Sequence, residues 1–150
     1  NQKIGLVMNA KGGTKIVQWL LGAELYEEAV KRTHLALEYG TLKGIIWHQG
    51  ESDSDAIRRD LYLGRIEILI NALREEFKIP NLPFVAGQVF QKEGRKAFND
   101  QLLQLPGFIK HTAVVSSNGV TTFDGTHFDV QSALMMGNRY AEEMIRLQKK

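Results

Sequence analysis

The sequence has no cysteine, which excludes disulfide bonds, thiolate nucleophiles and zinc–thiolate sites. It also has no apolar run near the ~20 residues that a membrane-spanning helix needs, so no membrane partner is predicted. No secretory signal is visible at the start. Because these absences are compatible with any compartment, the localisation of the protein stays unknown.

The chain also has no large excess of positive or negative charge. The formal net charge is +2, and the lysines and arginines are scattered along the chain, which gives no reason to expect a nucleic-acid partner. A length of 150 residues with 43% hydrophobic residues is typical of one globular domain. We therefore assign residues 1–150 to a single domain.

Short apolar runs alternate with amphipathic helical patterns. The pattern predicts strands at 4–8, 44–47, 83–88 and 112–115, and helices at 24–39, 55–77, 94–105 and 130–148. The buried stripe of the second helix is predicted at Ile57, Leu61, Gly64 or Arg65, Ile68 or Leu69, and Leu73. Such alternation is typical of parallel βαβ units, so the predicted fold is α/β, a three-layer α/β/α sandwich with a parallel sheet.

The densest polar cluster directly follows the predicted strand at 44–47. His48, Gln49 and Glu51 stand there, at the carboxyl end of a buried strand, where open α/β sheets bind their ligands. A simpler interpretation makes Glu51 and Asp53 acids that favour the next helix through its dipole. Polar residues this dense nevertheless need partners that a plain turn does not require, which favours a functional edge.

Two other loops are expected at the same edge, and together they resemble an acyl-transfer site. His127 can accept a proton from a hydroxyl nucleophile, and Asp124 can hold that imidazole in one tautomer. The backbone N–H of Gly13 and the amide of Gln49 can stabilise an oxyanion. Each feature also has a structural alternative: a turn and helix cap for Asp124, a surface histidine for His127, and a tight turn for the glycines.

These residues carry a family resemblance. The segment 47–53, Trp-His-Gln-Gly-Glu-Ser-Asp, resembles the His-Gln-Gly-Glu signature of the SGNH hydrolases that include sialic acid acetylesterases and the acetylxylan esterases of carbohydrate esterase family 6. Residues 124–128 resemble that family's Asp-x-x-His block, and residues 12–14 resemble its glycine block. The blocks occur in the family's order, so the resemblance covers almost the whole chain and implies a flavodoxin-like sheet.

The resemblance implies an O-acetylesterase that removes acetyl groups from sugars of the xylan or sialic acid type through an acetyl-serine intermediate. It implies no metal and no organic cofactor. The resemblance also implies that His127 is the general base and that either Asp124 or Glu51 assists it. The oxyanion and substrate-binding positions are Gly13, Gln49, Gly12, Gly50 and His48.

The family's N-terminal Gly-Gln-Ser-Asn block, which carries the nucleophile, is absent. The serines of the chain are Ser52, Ser54, Ser116, Ser117 and Ser132, and none lies in such a block. Because Asn1 is also not an initiator methionine, we expect this chain to be the C-terminal part of a longer catalytic domain. The nucleophile and the first strand of the sheet would then lie upstream, and this segment alone would be inactive. The alternative is a chain that naturally has no nucleophile.

Two other functions fit the same residues. A metal-dependent hydrolase would use His48, Glu51, Asp124 and His127 as a mixed nitrogen and oxygen site for zinc or manganese. A non-catalytic carbohydrate-binding protein would stack sugars on aromatic rings, for which the candidates are Trp19, Trp47, Phe90, Phe123 and Phe128.

Overall fold

The computed structural model describes residues 3–149 and contains one parallel sheet. Its strands are β1 (Ile45–Trp47), β2 (Phe84–Gly87) and β3 (Thr112–Val115), in the order β1-β2-β3. The register pairs Trp47 with Ala86 and Ala86 with Val114. The predicted α/β fold is confirmed, and the strands lie where the apolar runs placed them.

Helices connect and cover the strands. They are α1 (Glu24–Leu37), α2 (Ala56–Asp60), α3 (Tyr62–Glu76), α4 (Lys96–Leu102), α5 (Leu105–Phe108) and α6 (Val130–Gln148), with short 3-10 turns at Ile16–Trp19 and Glu51–Asp53. Helix α6 begins where the sequence predicted, because the Asp129 side chain accepts a hydrogen bond from the Ser132 N–H. None of these helices has the length and hydropathy to cross a lipid bilayer.

The sheet separates two apolar layers, as expected from the alternation of side chains along a strand. Phe84 and Ala86 of β2 pack with Ile66 and Ile70 of α3. Val85, one residue out of phase, packs on the opposite face with Met136 and Tyr140 of α6. All four residues of β2 are buried, as expected for the central strand of a three-layer sandwich.

The predicted helix at 55–77 is broken at Leu61, and its predicted stripe was wrong in the first half, whereas Leu69 and Leu73 are buried as predicted. Leu61 has φ −93° and ψ −8°, and its N–H bonds back to the carbonyl of Arg58, as in a 3-10 turn. The break shifts the phase of the helix, so Ile57 and Leu61 are exposed. The residues that α3 buries are Tyr62, Ile66, Leu69, Ile70 and Leu73.

The predicted strand at 4–8 was also wrong. This segment has no strand geometry, and Ile4 is 87% exposed. A strand needs a neighbour for its backbone groups, and the part of the chain that is described provides none here. Strand β1 pairs with β2 on one side and has no strand on its other side among residues 3–149.

Candidate active site

The loop after β1 turns sharply at Gly50. This residue has φ +155°, and a Cβ atom built on it would lie 2.3 Å from the Phe98 ring. Only glycine accepts both conditions. The turn leads directly into the 3-10 turn Glu51–Asp53, which folds the polar side chains of this loop back toward the sheet edge.

Gln49 lies at the centre of a buried hydrogen-bond network. Its Nε2 donates to the Thr14 carbonyl at 2.9 Å and to Oδ2 of Asp53 at 2.7 Å. Its Oε1 accepts from the Tyr62 hydroxyl at 3.0 Å, and that hydroxyl accepts from Nε1 of Trp47 at 3.0 Å. Both amide hydrogens of Gln49 therefore have acceptors, and donation to an oxyanion requires one of these bonds to be exchanged.

The glycine loop is closed by Thr14. Its Oγ1 donates to the Lys11 carbonyl at 3.0 Å and accepts from Nε1 of Trp19 at 3.0 Å. Gly13 has φ +72° and open space on its Cβ side, and its N–H has no acceptor within residues 3–149. Gly12 and Gly13 are exposed, so this N–H is available to a ligand, which fits the oxyanion role predicted for it.

The sequence interpretation missed two members of the network, Asp53 and Tyr62. Asp53 is 0% exposed, although it was considered only as an acid favouring the next helix. Tyr62 is 1% exposed, and its position was hidden by the break at Leu61. The sequence had no local signal for either contact with Gln49, because Gln49 and Gly50 precede the 3-10 turn Glu51–Asp53 and are not helical.

The His48 side chain is hydrogen-bonded to Tyr140. The Tyr140 hydroxyl donates to the Trp47 carbonyl at 3.1 Å, so it accepts from Nδ1 of His48 at 2.9 Å. This arrangement places the proton on Nδ1 and leaves Nε2 as the unprotonated nitrogen. Burial lowers the pKa of His48, and the nearby Glu51 carboxylate opposes that shift. A Cβ atom on Gly87 would overlap the Tyr140 hydroxyl, so β2 needs glycine there.

Asp124 and His127 form a second pair at the same edge of the sheet. Nδ1 of His127 lies 2.6 Å from Oδ2 of Asp124. Oδ1 of Asp124 accepts from the backbone N–H groups of Thr126 at 2.9 Å and His127 at 2.7 Å. The side-chain bond from His127 is the main cause that lowers the pKa of Asp124 to about 2. The ionised carboxylate holds the proton on Nδ1, so Nε2 of His127 is free to act as a base.

Few tertiary contacts hold this turn. Nζ of Lys92 donates to the Gly125 carbonyl at 3.1 Å, and Nη2 of Arg95 lies 3.4 Å from Oγ1 of Thr126. The Phe123 ring stacks on the imidazole of His127 with a centroid distance of 5.9 Å. The His127 side chain remains 67% exposed, so a ligand can reach its Nε2.

The sequence left open whether Asp124 or Glu51 assists His127. The structure places these two carboxylates against different histidines. Asp124 contacts His127, whereas Glu51 lies 4.0 Å from Nε2 of His48. Within the described part of the chain, no group of three side chains is placed to bind a metal ion. The four candidate ligands of a metal hydrolase therefore form two separate pairs.

Most serines of this chain have other partners. Oγ of Ser117 donates to the Val89 carbonyl, Oγ of Ser54 donates to the Glu51 carbonyl, and Oγ of Ser132 accepts from the Thr121 N–H. In the region 3–149 no serine hydroxyl is hydrogen-bonded to His127. The general-base role of His127 therefore stays a prediction, and no nucleophile lies beside this histidine in these residues.

The chain is similar to known carbohydrate esterases. A family model described as carbohydrate esterase, sialic acid-specific acetylesterase, matches residues 1–146. A probable carbohydrate esterase of Arabidopsis thaliana is 42% identical over 84 residues, which are 55% of this chain and 32% of that protein.

The X-ray structure of the same Arabidopsis protein has a similar fold. It superposes with a TM-score of 0.82 at 28% identity, covering 90% of this chain and 58% of the solved chain. The chain described here therefore spans less than two thirds of the length of this relative.

Proposed function

The chain belongs to the carbohydrate esterase family of the sialic acid-specific acetylesterase type, and from this premise we propose that it carries the base and oxyanion side of a serine esterase. The observation that carries the proposal is the Asp124–His127 pair, which has an exposed imidazole and a free Nε2 at the carboxyl edge of a parallel sheet. The substrate class we propose is an acetyl ester of a sugar hydroxyl, as in acetylated sialic acid or xylan.

In the proposed reaction His127 moves one proton twice. Its Nε2 takes the proton of a serine hydroxyl while that oxygen adds to the ester carbonyl carbon. The bond from this carbon to the sugar oxygen then breaks, and the imidazolium returns the proton to that oxygen. Water repeats the sequence on the acetyl-serine and releases acetate. Asp124 keeps the imidazole oriented and stabilises its charged form.

The oxyanion side is proposed to lie at the glycine loop. The free N–H of Gly13 is the first donor, since nothing in residues 3–149 competes for it. Gln49 joins as a second donor when the hydrogen that it gives to the Thr14 carbonyl moves to the oxyanion. Gly12, Gly50 and His48 shape the loops around this position.

The nucleophile is proposed to come from a segment upstream of Asn1. Strand β1 has an open edge, Ile46 on it is 52% exposed, and a cleft of about 330 Å³ between β1 and α6 is lined by Ile46, Met136 and Tyr140. An unpaired strand edge and an uncovered apolar side chain are liabilities in a soluble protein. A further parallel strand here would cover both and would deliver a serine to the edge occupied by His127.

This proposal makes the segment 1–150 inactive alone and active as part of the whole protein. The competing candidate is a non-catalytic sugar-binding protein. It is favoured by one observation: the Phe123 ring, 73% exposed, offers a stacking face at the site while no serine of the described residues contacts His127.

The test is a fluorophosphonate serine probe on the natural full-length protein, followed by digestion and mass mapping of the labelled peptide. We expect the label on a serine upstream of Asn1. His127→Ala should abolish labelling, and the exposed His34→Ala, far along the chain, should not. A label on one of the serines of this chain would relocate the nucleophile. A well-folded protein that takes no label would favour the sugar-binding candidate.

A further inference from the structure

Asp53 is a carboxylate buried without a cation. It is 0% exposed, and within residues 3–149 it forms no ion pair. Its Oδ2 accepts two hydrogen bonds, whereas its Oδ1 is buried with no partner. Burying a carboxylate in this way is costly unless its remaining hydrogen bonds are strong. A side chain kept under these conditions requires a reason beyond the filling of space.

The two bonds to Oδ2 come from two different loops. The Ile16 N–H donates at 2.8 Å, and Ile16 is the first residue of the 3-10 turn that follows the glycine loop. Nε2 of Gln49 donates at 2.7 Å from the loop after β1. One oxygen atom therefore fixes the glycine loop against the loop that carries Gln49. The role of an acid at a helix N-terminus does not explain these contacts, because both donors lie outside the helix that follows.

Gln49 is the residue on which this anchoring acts. One hydrogen of its amide is held by Asp53, and the other lies on the Thr14 carbonyl, next to Gly13. If the Asp53 bond were lost, the amide could rotate, and its Nε2 would no longer be fixed against the Thr14 carbonyl of the glycine loop. Oxyanion stabilisation depends on donors that are in place before the reaction begins.

We propose that Asp53 is the positioning residue of the oxyanion side: its carboxylate holds the Gln49 amide and the glycine loop in one arrangement. One amide hydrogen then stays anchored while the other passes from the Thr14 carbonyl to the oxyanion. This inference rests on the proposed esterase function and adds a residue that touches neither substrate nor nucleophile.

Two substitutions of Asp53 distinguish the effect of its hydrogen-bond acceptor from the effect of its charge. Asparagine at position 53 can place its carbonyl oxygen where Oδ2 lies and keep both bonds, although a neutral acceptor forms weaker ones. Alanine keeps neither. Asp60 is the matched control, because its side chain is 67% exposed and pairs only with the neighbouring Arg59.

The experiment measures kcat and KM for an acetyl ester in the full-length protein with D53A, D53N, Q49A, the double variant D53A/Q49A and D60N. Loss of a donor of this kind typically costs ~10²–10³ in turnover, so D53A should lower kcat by roughly 10- to 100-fold with KM within about threefold. D53N should recover most of the loss. The double variant should be no worse than the poorer single variant, because both act on one donor. D60N should behave as the wild type.

Each other outcome is decisive. A wild-type protein that hydrolyses no ester overturns the proposed function and the catalytic role of Asp53 with it. An active wild type with unchanged kcat in D53A overturns the positioning role alone, as do losses that multiply in the double variant. If D53A does not fold, D53L replaces it in the cycle with Q49A, because leucine has a similar shape and accepts neither hydrogen bond. Multiplying losses in that cycle overturn the proposal equally.

Discussion

The glycine-loop side of the site and the histidine side differ in how they are held. On the first side Gln49, Asp53 and Tyr62 are buried, and their hydrogen bonds reach across long stretches of sequence. On the second side Asp124 and His127 are bonded mainly to each other and to the turn between them. The first side is fixed by the core of the domain, and the second by a few local contacts at its surface.

This difference separates two kinds of mutational effect. A residue of the exposed turn can be changed at little cost in folding free energy, so its loss reports chemistry. A residue of the buried network leaves unpaired groups behind, so its loss reports stability as well. Substitutions on the two sides of the site can therefore distinguish an effect on chemistry from an effect on stability.

His127→Ala should remove most turnover and leave stability almost unchanged. General acid–base catalysis is worth about 10²–10⁴ in rate, and a side chain that is 67% exposed contributes little packing. The measurement is kcat/KM on an acetyl ester together with urea unfolding of the full-length protein, with His34→Ala as the control histidine. Near-normal turnover in His127→Ala would remove this residue from the mechanism.

Asp124→Asn should cost more turnover than Glu51→Gln. Only Asp124 contacts His127, and an amide in its place no longer favours the tautomer with the proton on Nδ1. We expect a loss of about 10²-fold or more for Asp124→Asn and less than about 10-fold for Glu51→Gln. Because the pKa of Asp124 is lowered to about 2, its ionised form persists as the pH falls until that value is approached. Equal losses in the two variants would show that the carboxylates share the role.

The fold was largely predictable because its signals are local. The run Thr112–Val115 and the helix Val130–Gln148 are where the sequence placed them, since an apolar run and the helical spacing of apolar residues can be recognised in the sequence itself. The segment 4–8 was not predictable in this way. Its residues have strand-like composition, but strand formation depends on a pairing partner, which local composition does not encode.

The residues of the candidate site also differ in whether the sequence could predict them. Asp124 and His127 were found because they lie three residues apart, within one turn. The partners of Gln49 were not, because Thr14 and Gln49 are 35 positions apart and Tyr62 depends on a helix break at Leu61. A buried network is defined by tertiary packing, and residue type alone does not show which polar side chain is buried.

Tyr62→Phe tests the buried side of the site and should lower the free energy of unfolding. The change removes the hydroxyl that donates to the buried Gln49 and leaves the partly buried Nε1 of Trp47 without its acceptor. A buried group left unpaired costs about 1–3 kcal/mol of unfolding free energy. Urea unfolding of the full-length protein measures this, with Tyr39→Phe as control because that ring is 89% exposed. A loss no greater than in the control would mean that the network is not the stable side of the site.

The smallest expected effect is a pH dependence of stability from His48. Burial lowers its pKa in the folded state, whereas the unfolded chain binds the proton near its ordinary value of about 6.5. Between these two pKa values the unfolded state carries more protons, so unfolding becomes easier as the pH falls through this window. The contribution is constant above the window, and it should be about 1 kcal/mol or less in total.

His48→Gln removes the titrating group and should flatten this part of the stability curve. The measurement is urea unfolding of the full-length protein at a series of pH values from about 7.5 to 5. An unchanged slope in His48→Gln would mean that burial does not lower the pKa of the His48 imidazole in the folded protein.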